Sequence, residues 1–155
     1  KLSAWFIPEK TATKKRALII LHGYPAEKSD MLNIAASLHP DFALVLPDLR
    51  YFGQSGGTYT TLGLRERDDV VKAVDFLKSR GYERVGVFGF SFGGATAFLA
   101  AEKDQRIQAV ATYAAFADLR ILGYETYRGL LFLKYPLVRL MELWARFWFG
   151  EWRHC

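Results

Sequence analysis

The sequence predicts an α/β fold: a mostly parallel sheet with flanking helices, in three layers (α/β/α). First, short apolar runs of the kind found in strands buried on both faces alternate with segments of helical periodicity. Second, the spacing of these runs suits βαβ units, which place consecutive strands parallel to one another. The 155 residues, of which 51% are apolar, suffice for one hydrophobic core.

Five segments are predicted to form strands. The first is ended by Pro8 and the third by Pro47, because proline cannot donate to a strand ladder. The second strand is apolar throughout and leads into a turn at His22-Gly23-Tyr24-Pro25. The predicted strands span residues 2–7, 17–21, 42–46, 84–88 and 107–113.

Three helices are predicted between these strands. Ser29 or Asp30 can cap the first, and Gly81 is a natural stop for the second. The second helix carries acidic residues in its first half and basic residues in its last turn, as the helix dipole favours. The predicted helices span residues 29–38, 64–80 and 92–103.

The segment 130–149 is dense in Leu, Phe and Trp. Charged residues interrupt it and Pro136 breaks it, so it is not predicted to span a membrane. From Pro136 onward a helix is predicted in which Glu142 pairs with Arg146 at i,i+4. We expect a helix packed on the protein body, with a lid over an acyl-binding cleft and membrane-surface association as the alternatives. The predicted domains are an α/β core over 1–128 and this apolar helical segment over 129–155.

Composition excludes several classes of function. The formal charge is +5, but the basic residues are scattered, which argues against nucleic-acid binding. The single cysteine, Cys155, allows no intrachain disulfide, and the histidines lack the spacing of metal ligands. We therefore expect no metal, no cofactor and no nucleic-acid partner, and membrane contact is only the minor alternative given for the segment 130–149. The sequence shows no signal peptide, and a cytoplasmic location is expected.

Ser91 is the candidate nucleophile. It lies in Gly89-Phe90-Ser91-Phe92-Gly93, after a predicted strand and at the start of a predicted helix. In this G-x-S-x-G pattern the serine occupies a strained turn, and glycines two places before and after it remove clashes. Gly94 allows close packing of the helix on the strand. The helix N-terminus also points free N–H groups at a developing anion.

An acyl-transfer site also needs donors for the oxyanion. The backbone N–H of Phe92 follows the nucleophile, and Tyr24 lies in the loop after the earlier buried strand. These two amides are the predicted oxyanion hole. His22 precedes the serine at a strand end, and we interpret it as a structural histidine of this loop rather than as the catalytic base.

The run from Ala17 to Pro25, the loop 48–56 and the turn around Ser91 resemble the α/β-hydrolase superfamily in order and spacing. The likeness extends from Leu2 to about residue 150 and is strongest to bacterial hydrolases grouped with serine aminopeptidases and small esterases. It implies that Ser91 forms an acyl-enzyme with an ester or amide substrate. It also implies that Asp48 and Arg50 brace the site rather than react.

The resemblance further implies an acid and then a histidine after the nucleophile. Asp118, just after the last predicted strand, is the candidate acid, with a helix or loop cap as the alternative role. His154 is the remaining candidate base, although a terminal residue is poorly held. The family's first strand and last two strands are not found, so the sequence is expected to be an incomplete chain.

The predicted function is a serine hydrolase of carboxylic esters or amides, acting on small-molecule or peptide acyl substrates. The alternatives are a catalytically dead protein of the same fold that binds or self-associates, and transacylation. Phe90 and Phe92 flank the serine and suggest an apolar acyl pocket. The strand 107–113 is expected to be an exposed apolar sheet edge, through which the chain either pairs with another copy or aggregates.

Overall fold

A computed structural model of the chain describes residues 1–9 and 15–149. Its strands form one five-stranded sheet in the order β1-β3-β2-β4-β5. Each lies within two residues of a segment predicted from the sequence. The strands are β1 (Ala4–Ile7), β2 (Arg16–Leu21), β3 (Ala43–Pro47), β4 (Arg84–Phe90) and β5 (Ile107–Tyr113).

Four of the five strands run parallel. β2 pairs with β3 on one side and with β4 on the other, and β4 pairs with β5. β1 alone is antiparallel and adds to the outer side of β3, where Ala4 lies opposite Pro47. The predicted mostly parallel sheet is confirmed.

The helices connect and flank these strands. A short 3-10 helix, Lys28–Met31, leads directly into the first α-helix. A second 3-10 helix, Arg128–Leu133, directly precedes the last α-helix that the structure describes. The α-helices are α1 (Leu32–Leu38), α2 (Glu66–Ser79), α3 (Phe92–Lys103), α4 (Leu119–Thr126) and α5 (Lys134–Phe149).

Alternate side chains of the strands pack on opposite faces of the sheet. On one face, Ile20 and Leu44 form a buried cluster with Met31 of the first 3-10 helix and Ala35 of α1. On the other, Phe6 of β1 meets Phe76 of α2 edge-to-face, at 5.3 Å between ring centroids. Helices therefore cover both faces, which gives the predicted three layers.

The chain divides into two compact units, residues 1–115 and 116–155. The whole sheet belongs to the first unit. The described part of the second contains α4, the second 3-10 helix and α5. The predicted domain boundary at residue 128 stays a prediction.

Helix α4 was not predicted. Its sequence contains Gly123, and glycine has a low propensity for the interior of a helix. In the structure a Cβ at Gly123 would come within 3.2 Å of Val138 Cγ2 in α5. The glycine therefore permits α4 and α5 to approach closely, and tertiary packing outweighs its low helix propensity.

Helix α5 begins at Lys134, so Pro136 lies in its first turn, where proline is tolerated. The predicted pair is present: Arg146 Nη2 lies 2.6 Å from Glu142 Oε1. Glu142 is buried with Val138 and Ala145, while Leu143 and other apolar side chains of the helix are exposed. Across the described residues, no helix combines the length and the apolar character that a membrane span requires.

Candidate active site

Ser91 is the single residue between strand β4 and helix α3. Its backbone has φ 50° and ψ −112°, in the left-handed half of the φ/ψ map that L-residues rarely adopt. Its amide nitrogen donates to the carbonyl oxygen of Tyr113 at 2.8 Å, and its carbonyl accepts from Gly94 N at 2.9 Å. These two bonds hold the serine in a conformation that costs about 1–3 kcal/mol.

Glycine is required around this turn because backbones approach closely. A Cβ at Gly89 would lie 2.3 Å from the carbonyl oxygen of Gly93. A Cβ at Gly93 would lie 2.5 Å from the carbonyl oxygen of His22. At Gly94 it would lie 2.7 Å from Ala115 Cβ. The start of α3 is thus pressed against the end of β2, where the His22–Tyr24 loop begins.

His22 is fully buried and uses both ring nitrogens within this loop. Nε2 accepts a hydrogen bond from the backbone N–H of Leu49 at 3.1 Å, so Nε2 carries no proton. Nδ1 then holds the proton and donates to the carbonyl oxygen of Gly23 at 2.8 Å. Burial lowers the pKa of His22. A neutral ring with both nitrogens engaged suits the structural role expected for it.

Tyr24 follows in the same loop, with a cis peptide bond to Pro25. Its ring is half exposed and meets Phe52 edge-to-face, at 5.7 Å between ring centroids. Phe52 also lies 5.7 Å from the ring of Phe92 and 5.1 Å from that of His22. The sequence analysis missed Phe52, which joins the two segments whose amides are the predicted oxyanion donors.

Asp48 anchors the loop after β3 through buried contacts. Its carboxylate accepts from Lys28 N at 2.9 Å and from Gln54 N at 2.9 Å, and it forms an ion pair with the Lys28 ammonium. Burial would raise the pKa of Asp48, but the bonds from Lys28 and Gln54 outweigh it and hold the pKa below its usual value. Lys28 was not singled out from the sequence.

Arg50 fixes the same loop to helix α2. Its Nε and Nη2 donate to the two carboxylate oxygens of Asp69, at 2.9 and 2.8 Å. The hydrogen bonds to Asp69 raise the pKa of Arg50 above its ordinary value. This bidentate pair and the buried Asp48 fit the bracing role that the resemblance implied.

The two phenylalanines beside Ser91 differ in accessibility. Phe92 is 1% exposed and packs on Phe52 in the core, so the suggestion that its side chain lines an acyl pocket is wrong. Phe90 is 36% exposed and stacks on Tyr113 at the ends of β4 and β5. The sequence pattern could not tell which of the two rings faces the core.

The other two predicted triad residues lie outside the first unit. Asp118 is the N-cap of α4: its carboxylate accepts from the amide of Arg120 at 2.7 Å and pairs with the guanidinium of Arg120. That is the capping role offered as the alternative, and the role as catalytic acid stays a prediction. His154 lies outside the described residues. Among the described residues, no three His, Cys, Asp or Glu side chains cluster so that they could hold a metal ion.

The mostly parallel sheet has helices on both faces, and a strained serine follows its interior strand β4. These features place the chain among the three-layer α/β proteins. Residues 16–125 match the family described as the alpha/beta hydrolase fold. The chain belongs to this family.

Two curated proteins are similar in sequence to part of this chain. A soluble epoxide hydrolase from a Corynebacterium species is 33% identical over 88 residues, covering 57% of this chain and 30% of that protein. An uncharacterised 31.7 kDa protein from Escherichia coli is 31% identical over 115 residues, covering 70% of this chain and 40% of that protein. The chain thus spans well under half the length of these curated relatives.

Solved structures share the fold. An esterase from Pyrococcus furiosus superposes with a TM-score of 0.69 at 23% identity, covering 90% of this chain and 59% of that one. The epoxide hydrolase CorEH superposes with a TM-score of 0.63 at 26% identity, covering 76% of this chain and 40% of that one. These similarities support a partial α/β-hydrolase fold.

Proposed function

We propose that the protein is a serine hydrolase that cleaves carboxylic esters or amides through an acyl-enzyme at Ser91. The observation that carries the proposal is the backbone of Ser91, strained between the end of β4 and the start of α3. A serine held in that turn projects its hydroxyl at the carboxyl end of a parallel sheet, where this fold binds ligands.

The chemistry follows from the groups around the serine. Ser91 Oγ attacks the carbonyl carbon and gives up its proton to a general base, and the carbonyl oxygen becomes an oxyanion. The backbone N–H groups of Phe92 and Tyr24 are the proposed donors to that oxyanion. Collapse of the intermediate expels the alcohol or amine, which takes the proton. Water then attacks the acyl-enzyme, releases the acid and restores the serine. Asp118 and His154 are the proposed acid and base of this chain.

The identity of the nucleophile favours acyl transfer over epoxide opening. If Ser91 attacked an epoxide carbon, the product would be an ether, which water does not hydrolyse at neutral pH. An ester of Ser91, by contrast, is hydrolysed by the same base and oxyanion donors that formed it. Similarity to an epoxide hydrolase therefore supports the fold and the hydrolase class, and the serine favours ester or amide substrates.

A turnover assay tests this proposal. The chain is incubated with p-nitrophenyl esters, an anilide and an epoxide, and product release is followed in the wild type, Ser91→Ala and Ser37→Ala. Ser37 lies on α1, where its hydroxyl bonds to the backbone of its own helix, so its loss is a matched control. We expect ester hydrolysis that Ser91→Ala abolishes and Ser37→Ala retains. Equal rates in the Ser91→Ala variant, or turnover of the epoxide alone, would contradict the proposal.

A further inference from the structure

We infer that the stacked rings of Phe90 and Tyr113 bind the acyl group of the substrate and select apolar acyl groups. This inference rests on the proposed function of Ser91. It names a substrate class, esters or amides of apolar or aromatic carboxylic acids, which the fold and the position of Ser91 do not specify by themselves.

The two rings form a defined surface. Phe90 and Tyr113 are register partners at the ends of the parallel strands β4 and β5. Their ring centroids are 5.7 Å apart and the ring planes are inclined by 19°, an offset stack. Phe90 is 36% and Tyr113 is 66% exposed. A pair of large apolar rings is therefore accessible at this end of the sheet.

The Phe90 ring is held on its other side by the loop after β2. A Cβ built at Gly23 would lie only 2.8 Å from Cδ1 and 3.3 Å from Cε1 of Phe90. The ring is thus confined between the backbone of Gly23 and the ring of Tyr113. A surface that is already ordered loses little side-chain entropy when an apolar group binds to it.

The backbones of both stacked residues adjoin the proposed nucleophile. Phe90 directly precedes Ser91, and the carbonyl oxygen of Tyr113 accepts the hydrogen bond from Ser91 N at 2.8 Å. Consecutive Cα atoms are about 3.8 Å apart, so the backbone of Phe90 is the immediate neighbour of the proposed nucleophile. Gly23 also precedes Tyr24, whose amide is a proposed oxyanion donor. The Phe90 ring and the proposed oxyanion donor are therefore next to neighbouring residues of one loop.

The alternative role for the pair is purely structural, as an aromatic stack that stabilises two strand ends. The two roles differ in what they predict for ligands. Loss of a purely structural stack should affect all substrates and probes alike. Loss of a binding surface should change the preference between apolar and polar acyl groups.

The first experiment measures that preference. The rate of covalent labelling of Ser91 is compared for an alkyl fluorophosphonate and a polyether fluorophosphonate of equal length. The variants are Tyr113→Ser, which removes the ring, Tyr113→Phe, which keeps it, and Phe98→Ser. Phe98 is an exposed aromatic on α3 and serves as the matched control for loss of surface apolar area. We expect the wild type to prefer the alkyl probe by about tenfold or more. Tyr113→Ser should lose most of this preference, and the other two variants should keep it.

A second measurement does not require a reactive serine. The Ser91→Ala chain is titrated with 4-phenylbutyrate and with acetate, and backbone amide shifts are followed by NMR. We expect 4-phenylbutyrate, but not acetate, to shift the amides of residues 90 and 113 in a saturable manner. Phe90→Leu, which keeps an apolar side chain against Gly23, should weaken this binding, and so should Tyr113→Ser.

The outcomes separate the inference from the proposed function. Labelling of Ser91 with the same probe preference in wild type and Tyr113→Ser would overturn the inference and leave the serine hydrolase intact. Absence of labelling by either probe would count against the proposed function. In that case, shifts at residues 90 and 113 with 4-phenylbutyrate would still support an apolar binding surface, and their absence would overturn it.

Discussion

The amide nitrogen of Ser91 donates a 2.8 Å hydrogen bond to the carbonyl oxygen of Tyr113, the last residue of β5. This bond ties the turn after β4 to the neighbouring strand and helps to hold Ser91 at positive φ. Because the N–H of Ser91 is already engaged, it is not available to an oxyanion. The first amide of α3, that of Phe92, is then the proposed donor at the helix N-terminus, where the dipole also favours negative charge.

Removal of one partner of the buried Lys28–Asp48 ion pair is expected to destabilise the fold strongly. The side chains are 3% and 0% exposed, so replacing Lys28 by Met leaves a buried carboxylate without its counter-ion. We predict that Lys28→Met lowers the free energy of unfolding by about 3–5 kcal/mol, measured by urea denaturation. Lys103→Met removes an exposed ion pair with Asp68, and should cost no more than about 1 kcal/mol. Equal losses in the two variants would show that burial does not set the strength of the Lys28 pair.

Asp48 is expected to make the stability depend on pH. The hydrogen bonds from Lys28 and Gln54 hold its pKa in the folded protein below the usual 3.8, so the unfolded chain binds the proton more readily. Its contribution is therefore present above about pH 3.8 and is lost as the pH falls below it. Unfolding free energies measured between about pH 6 and pH 2 should fall less steeply for Asp48→Asn than for the wild type. Parallel curves would refute this assignment.

Phe52 is expected to position the proposed oxyanion donors. Its ring contacts those of Tyr24 and Phe92, so a smaller side chain at 52 should loosen both segments. We predict that Phe52→Leu slows fluorophosphonate labelling of Ser91 by about tenfold while lowering stability by only about 1 kcal/mol. Phe76→Leu, on helix α2 against Phe6, is the matched control and should reduce stability without slowing labelling. If both variants slow labelling equally, Phe52 has no positioning role.

Strand β5 is expected to mediate self-association. It is the last strand of the sheet formed by the described residues, and its sequence Ile107–Tyr113 contains no charged residue or proline. Such an edge presents unpaired backbone groups that can pair with another copy. We predict concentration-dependent association in sedimentation velocity, and that a charge at an exposed edge position, Ala111→Lys, reduces it. A monodisperse wild-type monomer that unfolds cooperatively would contradict this prediction.

The parts of the fold that depend on local pattern could be predicted from the sequence. The strands and the helix after Ser91 are encoded in apolar runs, glycine spacing and proline positions, which act over a few residues. Helix α4 could not be predicted, because Gly123 is tolerated only through its close approach to Val138. The outward position of Phe90 and the buried position of Phe92 likewise depend on contacts with β5 and with Phe52.

The same distinction applies to the candidate site. Ser91 and its glycines are recognisable because the turn demands small residues at fixed offsets. Lys28 and Phe52 could not be recognised from the sequence, because each acts through a partner in a distant part of the chain. Lys28 pairs with Asp48, and Phe52 contacts Tyr24. An isolated lysine or phenylalanine in a loop carries no signal of such a contact.

Covalent labelling with a fluorophosphonate, mapped by peptide mass spectrometry, tests the central claim most directly. The account predicts a stoichiometric adduct on Ser91 that is absent in Ser91→Ala and undiminished in Ser37→Ala. Heat-denatured protein should not react, because activation of the serine requires the folded turn. Absence of an adduct on the folded chain, or an adduct on another residue that persists in Ser91→Ala, would contradict the assignment of Ser91 as the nucleophile.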